Sequence, residues 1–371
     1  MRRRTFIRAT GTLGVASLAG CLDLWSDRRW HFETERRSLS SPTVVEDTVY
    51  IGSSDSNLYA LDADSGDDSW SFEADSSVES SPAVMDDTVY LGSRDHTVYA
   101  VDTAEGTEQW RFRTGEMVRS SPTVVEDTVY VGSNDETMYA LAAGDGDLVW
   151  EFDAEGPVRS SPTVDAGTVY IGAGESVYAL AADTGDQQWA FDTGRRIRSS
   201  PTVSGDTVFI GSGLSDNDPG TVHAFDAASG DRQWSFETVG RVLPTPTVAN
   251  GTVFVGADTG PPGTFEMYAL DAASGDLEWD VDTGGAIQSS PTVVDGIVFF
   301  GSGRDVLGLD ADSGDEEWRY EGDQLYLSSP TVVDGTLFIG RQDGVDALDV
   351  PVDGSSEDSR VMLATLGHHD R

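Results

Sequence analysis

Lysine is absent from this chain. All 23 basic residues are arginine, they face 65 acids, and the formal net charge is −42. A field of that sign repels phosphate, so a nucleic-acid binder with a broad basic surface is excluded. Cysteine is nearly absent too: Cys21 is the only one, which rules out an internal disulfide and a cysteine-rich metal site. No apolar run reaches the length a membrane-spanning helix needs. Hydrophobic residues still make up 38% of the chain, enough for a sizeable core, so disorder is excluded despite the charge. An acidic, lysine-free surface is read as salt adaptation and suggests a halophilic source, since net charge speaks of solubility rather than chemistry.

The N-terminus reads as an address. Arg3-Arg4-Thr5-Phe6-Ile7-Arg8 resembles the twin-arginine export signal, with Arg3, Arg4 and Phe6 as its marks. A short apolar run follows and ends in Leu18-Ala19-Gly20-Cys21, which resembles a lipobox. The expectation is a signal peptide over 1–20, cleavage before a lipid-carrying Cys21, a tether over 21–29, and an extracytoplasmic protein anchored to the outer face of the cytoplasmic membrane. Its contact with the membrane would be through the lipid alone.

What the chain has in abundance is self-similarity. Ser-Ser-Pro or a variant recurs with its proline at Pro42, Pro82, Pro122, Pro162, Pro201, Pro246, Pro291 and Pro330. Tryptophan recurs at Trp30, Trp70, Trp110, Trp150, Trp189, Trp234, Trp279 and Trp318. Both series step by 40, 40, 40, 39, 45, 45 and 39 residues. Within one unit, Pro42–Val45, Thr48–Gly52, Leu58–Asp62 and Trp70–Phe72 are β-branched or aromatic runs separated by acidic or glycine turns. Four short antiparallel strands per unit of this length predict a propeller blade. The last unit, 330–349, has three strands and no tryptophan, whereas Trp30-His31-Phe32 is a strand without a unit. The fold is therefore predicted as all-β, an eight-bladed propeller over 30–349. Its ring is closed when the N-terminal strand completes the blade of 330–349, leaving a polar tail over 350–371.

The pattern Leu58-Tyr59-Ala60-Leu61-Asp62-Ala63, then Ser65-Gly66-Asp67, then Trp70 and Phe72, resembles the repeat of the pyrroloquinoline-quinone (PQQ) propellers. It recurs in Val98–Phe112, Val177–Phe191, Val222–Phe236 and Met267–Val281. The resemblance implies that the eight tryptophans dock each blade onto its neighbour and are not a cofactor box. It also implies two kinds of relative: quinoprotein dehydrogenases that use PQQ and calcium, and BamB-like lipoprotein scaffolds without catalysis. The single cysteine and the near-minimal repeats place the chain closer to the scaffolds. No cofactor is then expected, and PQQ with calcium belongs to the alternative, a dehydrogenase-like enzyme.

Candidate sites are few. Asp62–Asp67 and Asp310–Asp315 open like calcium loops but lack the closing ligand, and as hairpin turns they need no metal. His31, His96 and His223 fall in different repeat positions and form no triad. Arginine is more telling. Arg119, Arg159 and Arg198 share the position just before Ser-Ser-Pro in consecutive units, where a propeller opens its axial channel. The other units have Leu39, Glu79, Leu243, Gln288 and Leu327 there. Arg195, Arg196 and Arg241 lie in the same loops. Guanidinium forks at a channel mouth suit carboxylate or phosphate. The alternative is pairing with Glu79, Glu116 or Glu155. Two insertions, 213–220 and 258–265, are expected on the same face. The expected partners are envelope or cell-surface proteins or an anionic ligand, and the ring is expected to be monomeric.

Overall fold

The computed structural model describes residues 27–213, 219–259 and 263–356. The export signal, Cys21, the insertion tips and the end of the tail lie outside them. Strand β1 is Arg28–Glu33, and blade one follows as β2 (Thr43–Val45), β3 (Thr48–Gly52), β4 (Asn57–Asp62) and β5 (Asp68–Glu73). The same order repeats as β6–β29 through blade two (Ala83–Arg113), three (Thr123–Asp153), four (Thr163–Asp192), five (Thr202–Glu237), six (Thr247–Asp282) and seven (Thr292–Glu321). Blade eight is β30 (Thr331–Val333), β31 (Thr336–Arg341), β32 (Gly344–Asp349) and β1, in sheet order β1-β32-β31-β30. Its outer register pairs Trp30 with Ala347 and Phe32 with Val345, so the predicted ring and its closure are what the chain forms.

Between blades the core is built on tryptophan. The Trp110 indole donates to the Ala143 carbonyl of the next blade (2.8 Å), and Trp30, Trp70, Trp150, Trp189, Trp234 and Trp279 repeat that bond. A glycine of the neighbouring turn lies flat under the ring. At Gly146 φ is +74°, and a Cβ would sit 2.5 Å from Trp110. Only glycine meets both demands. Trp318, facing the seam, is the exception among the described residues: it packs edge-on against Phe299 with no such bond.

The Ser-Ser-Pro signature has its own physical cause. The first serine caps the second strand of its own blade, as Gly92 N–H donates to Ser80 Oγ (2.8 Å). The second serine links blades. Ser41 N–H donates to Ser81 Oγ, Ser81 to Ser121, Ser121 to Ser161, and so on through Ser200, Thr245, Ser290 and Ser329, whose N–H returns to Ser41. These eight bonds, 2.8–3.3 Å long, form a closed circle around the axis. A second circle runs from threonine hydroxyls to the next blade's proline carbonyl, as in Thr163 to Pro201 (2.6 Å) and Thr331 to Pro42 (2.6 Å). It breaks at blade two, where Ala83 stands in the threonine position. Ala83→Thr should supply the missing donor and raise stability by about 0.5–1.5 kcal/mol. Urea unfolding checks this, and an unchanged or lower midpoint would show that the site cannot take the hydroxyl.

Loops entering each inner strand share a face with the turns between second and third strands, as in Ser54 N–H to the Arg37 carbonyl (2.8 Å) and Arg94 N–H to the Ser77 carbonyl (3.0 Å). The chain after β32 runs under the opposite face. Val350 and Val352 are buried, and Ser356 Oγ bonds both the N–H and the carbonyl of Val332.

Candidate functional site

The repeat position before Ser-Ser-Pro is set by the inner strand that follows it, which fixes Arg119, Arg159 and Arg198 in a row at the entries to blades three, four and five. Their partners differ. Arg119 Nε lies 3.4 Å from Glu79 Oε2, yet this buried atom makes no hydrogen bond. Glu79 is already engaged by Arg94, 3.1 Å away. Arg159 Nε donates to the neutral Asn134 Oδ1 (3.0 Å). Arg196 and Arg198 are exposed. Among the described residues no carboxylate lies within ion-pair distance of Arg159, Arg196 or Arg198. Burial pushes the Arg159 guanidinium below its ordinary value, and Arg198, Arg119 and Arg196 push it the same way. Arg198 is lowered by partial desolvation and then by Arg119, Arg241 and Arg196. The guanidinium groups therefore stand close enough to repel one another.

Two other predicted members are engaged by partners of their own. Arg195 donates to the Pro219 carbonyl at the edge of the first insertion. Arg241 is held by the buried Asp258 at 2.8 Å, and their backbones form an isolated bridge. That pair ties the start of the second insertion to the loop face. Of the acids considered as partners, Glu79 takes Arg119, Glu116 approaches His96 at 4.0 Å, and Glu155 lines the cleft described next.

A cleft of about 540 Å³ opens on this face between blades three, four and five. Arg159, Arg196 and Arg198 line it together with Glu136, Glu155 and Glu175. Arg94 and Asn134, which hold Glu79 and Arg159, were not singled out in the sequence. Both come from turns between second and third strands, a different repeat position from the arc.

Among the described residues the histidines form no catalytic set. His223 Nε2 is 2.9 Å from Ser212 Oγ, but Nδ1 has no partner and both side chains are buried. Burial, followed by Arg232 and Arg195, lowers His223 to about 4, so it is neutral at pH 7. The aspartate turns explain themselves as hairpins: Asp62 Oδ1 accepts from Ser65 N–H (2.8 Å) and Ser65 Oγ (2.9 Å). No group of three His, Cys, Asp or Glu placed to hold a metal occurs among the described residues. PQQ, a flat tricarboxylate, would find guanidinium groups in the cleft, but its lining offers no aromatic ring or sulfur to stack on. The lining of this cleft does not fit that group.

A closed ring of eight four-stranded blades with a tryptophan at the blade junctions is a propeller of the PQQ-type repeat. A family profile described as outer membrane protein assembly factor BamB matches residues 20–122, 94–215, 173–284 and 218–358, and the chain belongs to that family. No curated protein matches it in sequence. Among solved structures it is similar to BamB from Moraxella catarrhalis, with TM-score 0.72 and 18% identity, covering 86% of this chain and 98% of that one. The computationally designed Ika8 protein gives TM-score 0.74 and 18% identity, covering 88% and 100%. A quinohemoprotein alcohol dehydrogenase from Comamonas testosteroni gives TM-score 0.73 and 16% identity, covering 88% and 75%. At these identities the likeness is one of fold.

Proposed function

We propose that this protein is an exported, lipid-anchored propeller that works as a non-catalytic binding scaffold, taking an anionic group of an envelope partner at its loop face. One observation carries the reading: Arg159, Arg196 and Arg198 line one cleft, and among the described residues none of them has a carboxylate partner. Such like-charge crowding costs free energy that an arriving anion relieves, and guanidinium forks suit carboxylate or phosphate. Family membership supports a scaffold role, and the lipobox at Cys21 supports a surface anchor.

The test expresses the full chain in its host as wild type, as Cys21→Ser and as Arg159→Gln/Arg196→Gln/Arg198→Gln. Wild type should fractionate with membranes and Cys21→Ser should appear in the medium. The triple variant should remain anchored but lose at least about tenfold of the crosslinked partner. Membrane retention of Cys21→Ser overturns the anchor, and unchanged crosslinking overturns the arginine site.

A further inference from the structure

The cleft sorts its charges by radius. The backbones of Arg159 and Arg198 lie nearest the axis, each leading into an inner strand, and Arg196 stands between Asp192 and Arg198 along its loop. The acids of the cleft stand further out. Glu136 and Glu175 immediately precede the third strands of blades three and four, Glu155 follows the outermost strand of blade three, and Asp192 ends the outermost strand of blade four. The side chains of Glu136, Glu155 and Glu175 are exposed and make no hydrogen bond or ion pair among the described residues. Opposite charges thus line one cavity of about 540 Å³ without cancelling each other. Arg159 is anchored by Asn134, and Gly194 N–H bonds Asp192 Oδ1 (2.8 Å).

We infer that the occupant of this cleft carries both signs: a short peptide segment with its carboxylate inward against Arg159 and Arg198 and a cationic side chain outward against Glu155 and Glu175. This rests on the binding-scaffold reading and narrows it from any anion to a charge-separated one. The cleft volume is within the range of sites that enclose a small ligand, roughly 300–1,000 Å³, and much larger than a lone phosphate needs. Complementary charge fixes direction as well as identity, since the reversed peptide would set like charges against both ends.

The probes are three N-acetylated, C-amidated tripeptides, Glu-Gly-Lys, Glu-Gly-Gln and Gln-Gly-Lys, titrated calorimetrically into the purified full chain. Glu-Gly-Lys should bind about tenfold more tightly than either single-charge peptide. Glu155→Gln/Glu175→Gln should erase its advantage over Glu-Gly-Gln while Glu-Gly-Gln binds as before. Arg159→Gln/Arg198→Gln should abolish both. All of these positions are exposed or half-buried loop residues, and circular dichroism confirms that the variants fold. Equal binding of Glu-Gly-Lys and Glu-Gly-Gln, or an advantage that survives loss of the two glutamates, overturns the inference while leaving the anion site standing. Loss of nothing in the arginine variant, or no binding by any peptide, overturns both.

Discussion

Asp346→Ala should destabilise the ring by about 3–5 kcal/mol, the cost of breaking a buried charge network from one side. Asp346 is fully buried in the closing blade. It accepts from Tyr326 Oη (2.5 Å) and Arg341 Nη1 (3.1 Å) and meets His31 Nδ1 at 2.8 Å, so it joins β1, β31 and the incoming loop at the seam. Removing it strands the buried Tyr326 hydroxyl and strips Arg341 of its innermost partner. Arg341 keeps Asp343 (2.6 Å) and Asp323 (3.0 Å), both more exposed. Blade seven shows the apolar solution to the same geometry, with Ser302 and Leu307 in the places of Arg341 and Asp346. Arg341→Ser/Asp346→Leu/Tyr326→Phe should therefore recover most of the loss. Urea midpoints of the two variants decide it, and a loss below about 1 kcal/mol for Asp346→Ala would show that the network does not hold the seam. Burial alone would raise the Asp346 carboxyl, but hydrogen bonds from His31 and Tyr326 and the charge of Arg341 leave it below its ordinary value. Its contribution is then full above the unfolded carboxylate range, about pH 4, and fades as pH falls through the lower folded value. The gap between wild type and Asp346→Ala should narrow in that acid window. Relief of repulsion among the other acids has the opposite sign, is common to both chains, and cancels in the difference.

Trp110→Ala should cost about 3–5 kcal/mol. The ring fills the junction between blades two and three, lies on Gly146, and stands 5.8 Å from Tyr90, centroid to centroid. The Ala143 carbonyl would stay satisfied, because Tyr90 Oη also donates to it (3.1 Å). The loss is thus almost wholly packing, with the cavity unable to collapse between two rigid sheets. Trp318→Ala should cost distinctly less, since that ring has neither the carbonyl bond nor a glycine beneath it. Side-by-side urea melts test the contrast, and equal losses would mean that the indole bond and the glycine contact contribute nothing.

Blade number and ring closure were legible because proline and tryptophan keep one irregular spacing, and a unit short of a strand needs a strand without a unit. The arginine row was legible for the same reason: one repeat position is one place in space. What could not be read was anything joining different repeat positions. Arg94 engages Glu79, and Asn134 accepts from Arg159, across loops unrelated in sequence. The seam left a visible trace, since Asp346 stands where other blades have Tyr59, Tyr99, Tyr139, Tyr178 and Tyr268. Its partners are brought together only by closure, with His31 lying 315 positions away along the chain. The Ser-Ser-Pro motif was visible as a landmark, but its two jobs, one within a blade and one between blades, follow only from the register.

The serine circle makes the molecule, mechanically, a bangle rather than a clasp. Its eight links all run in one sense and none marks the place where the polypeptide begins or ends. At the rim, Asp349 N–H bonds the Asp27 carbonyl, so the two ends of the ring already touch. Joined by a short hairpin there and opened at another loop, the chain would be a circular permutant with the same hub. Where synthesis starts is thus a choice the fold does not make, and the ionic knot around Asp346 lies at the one blade that is closed without a covalent stitch.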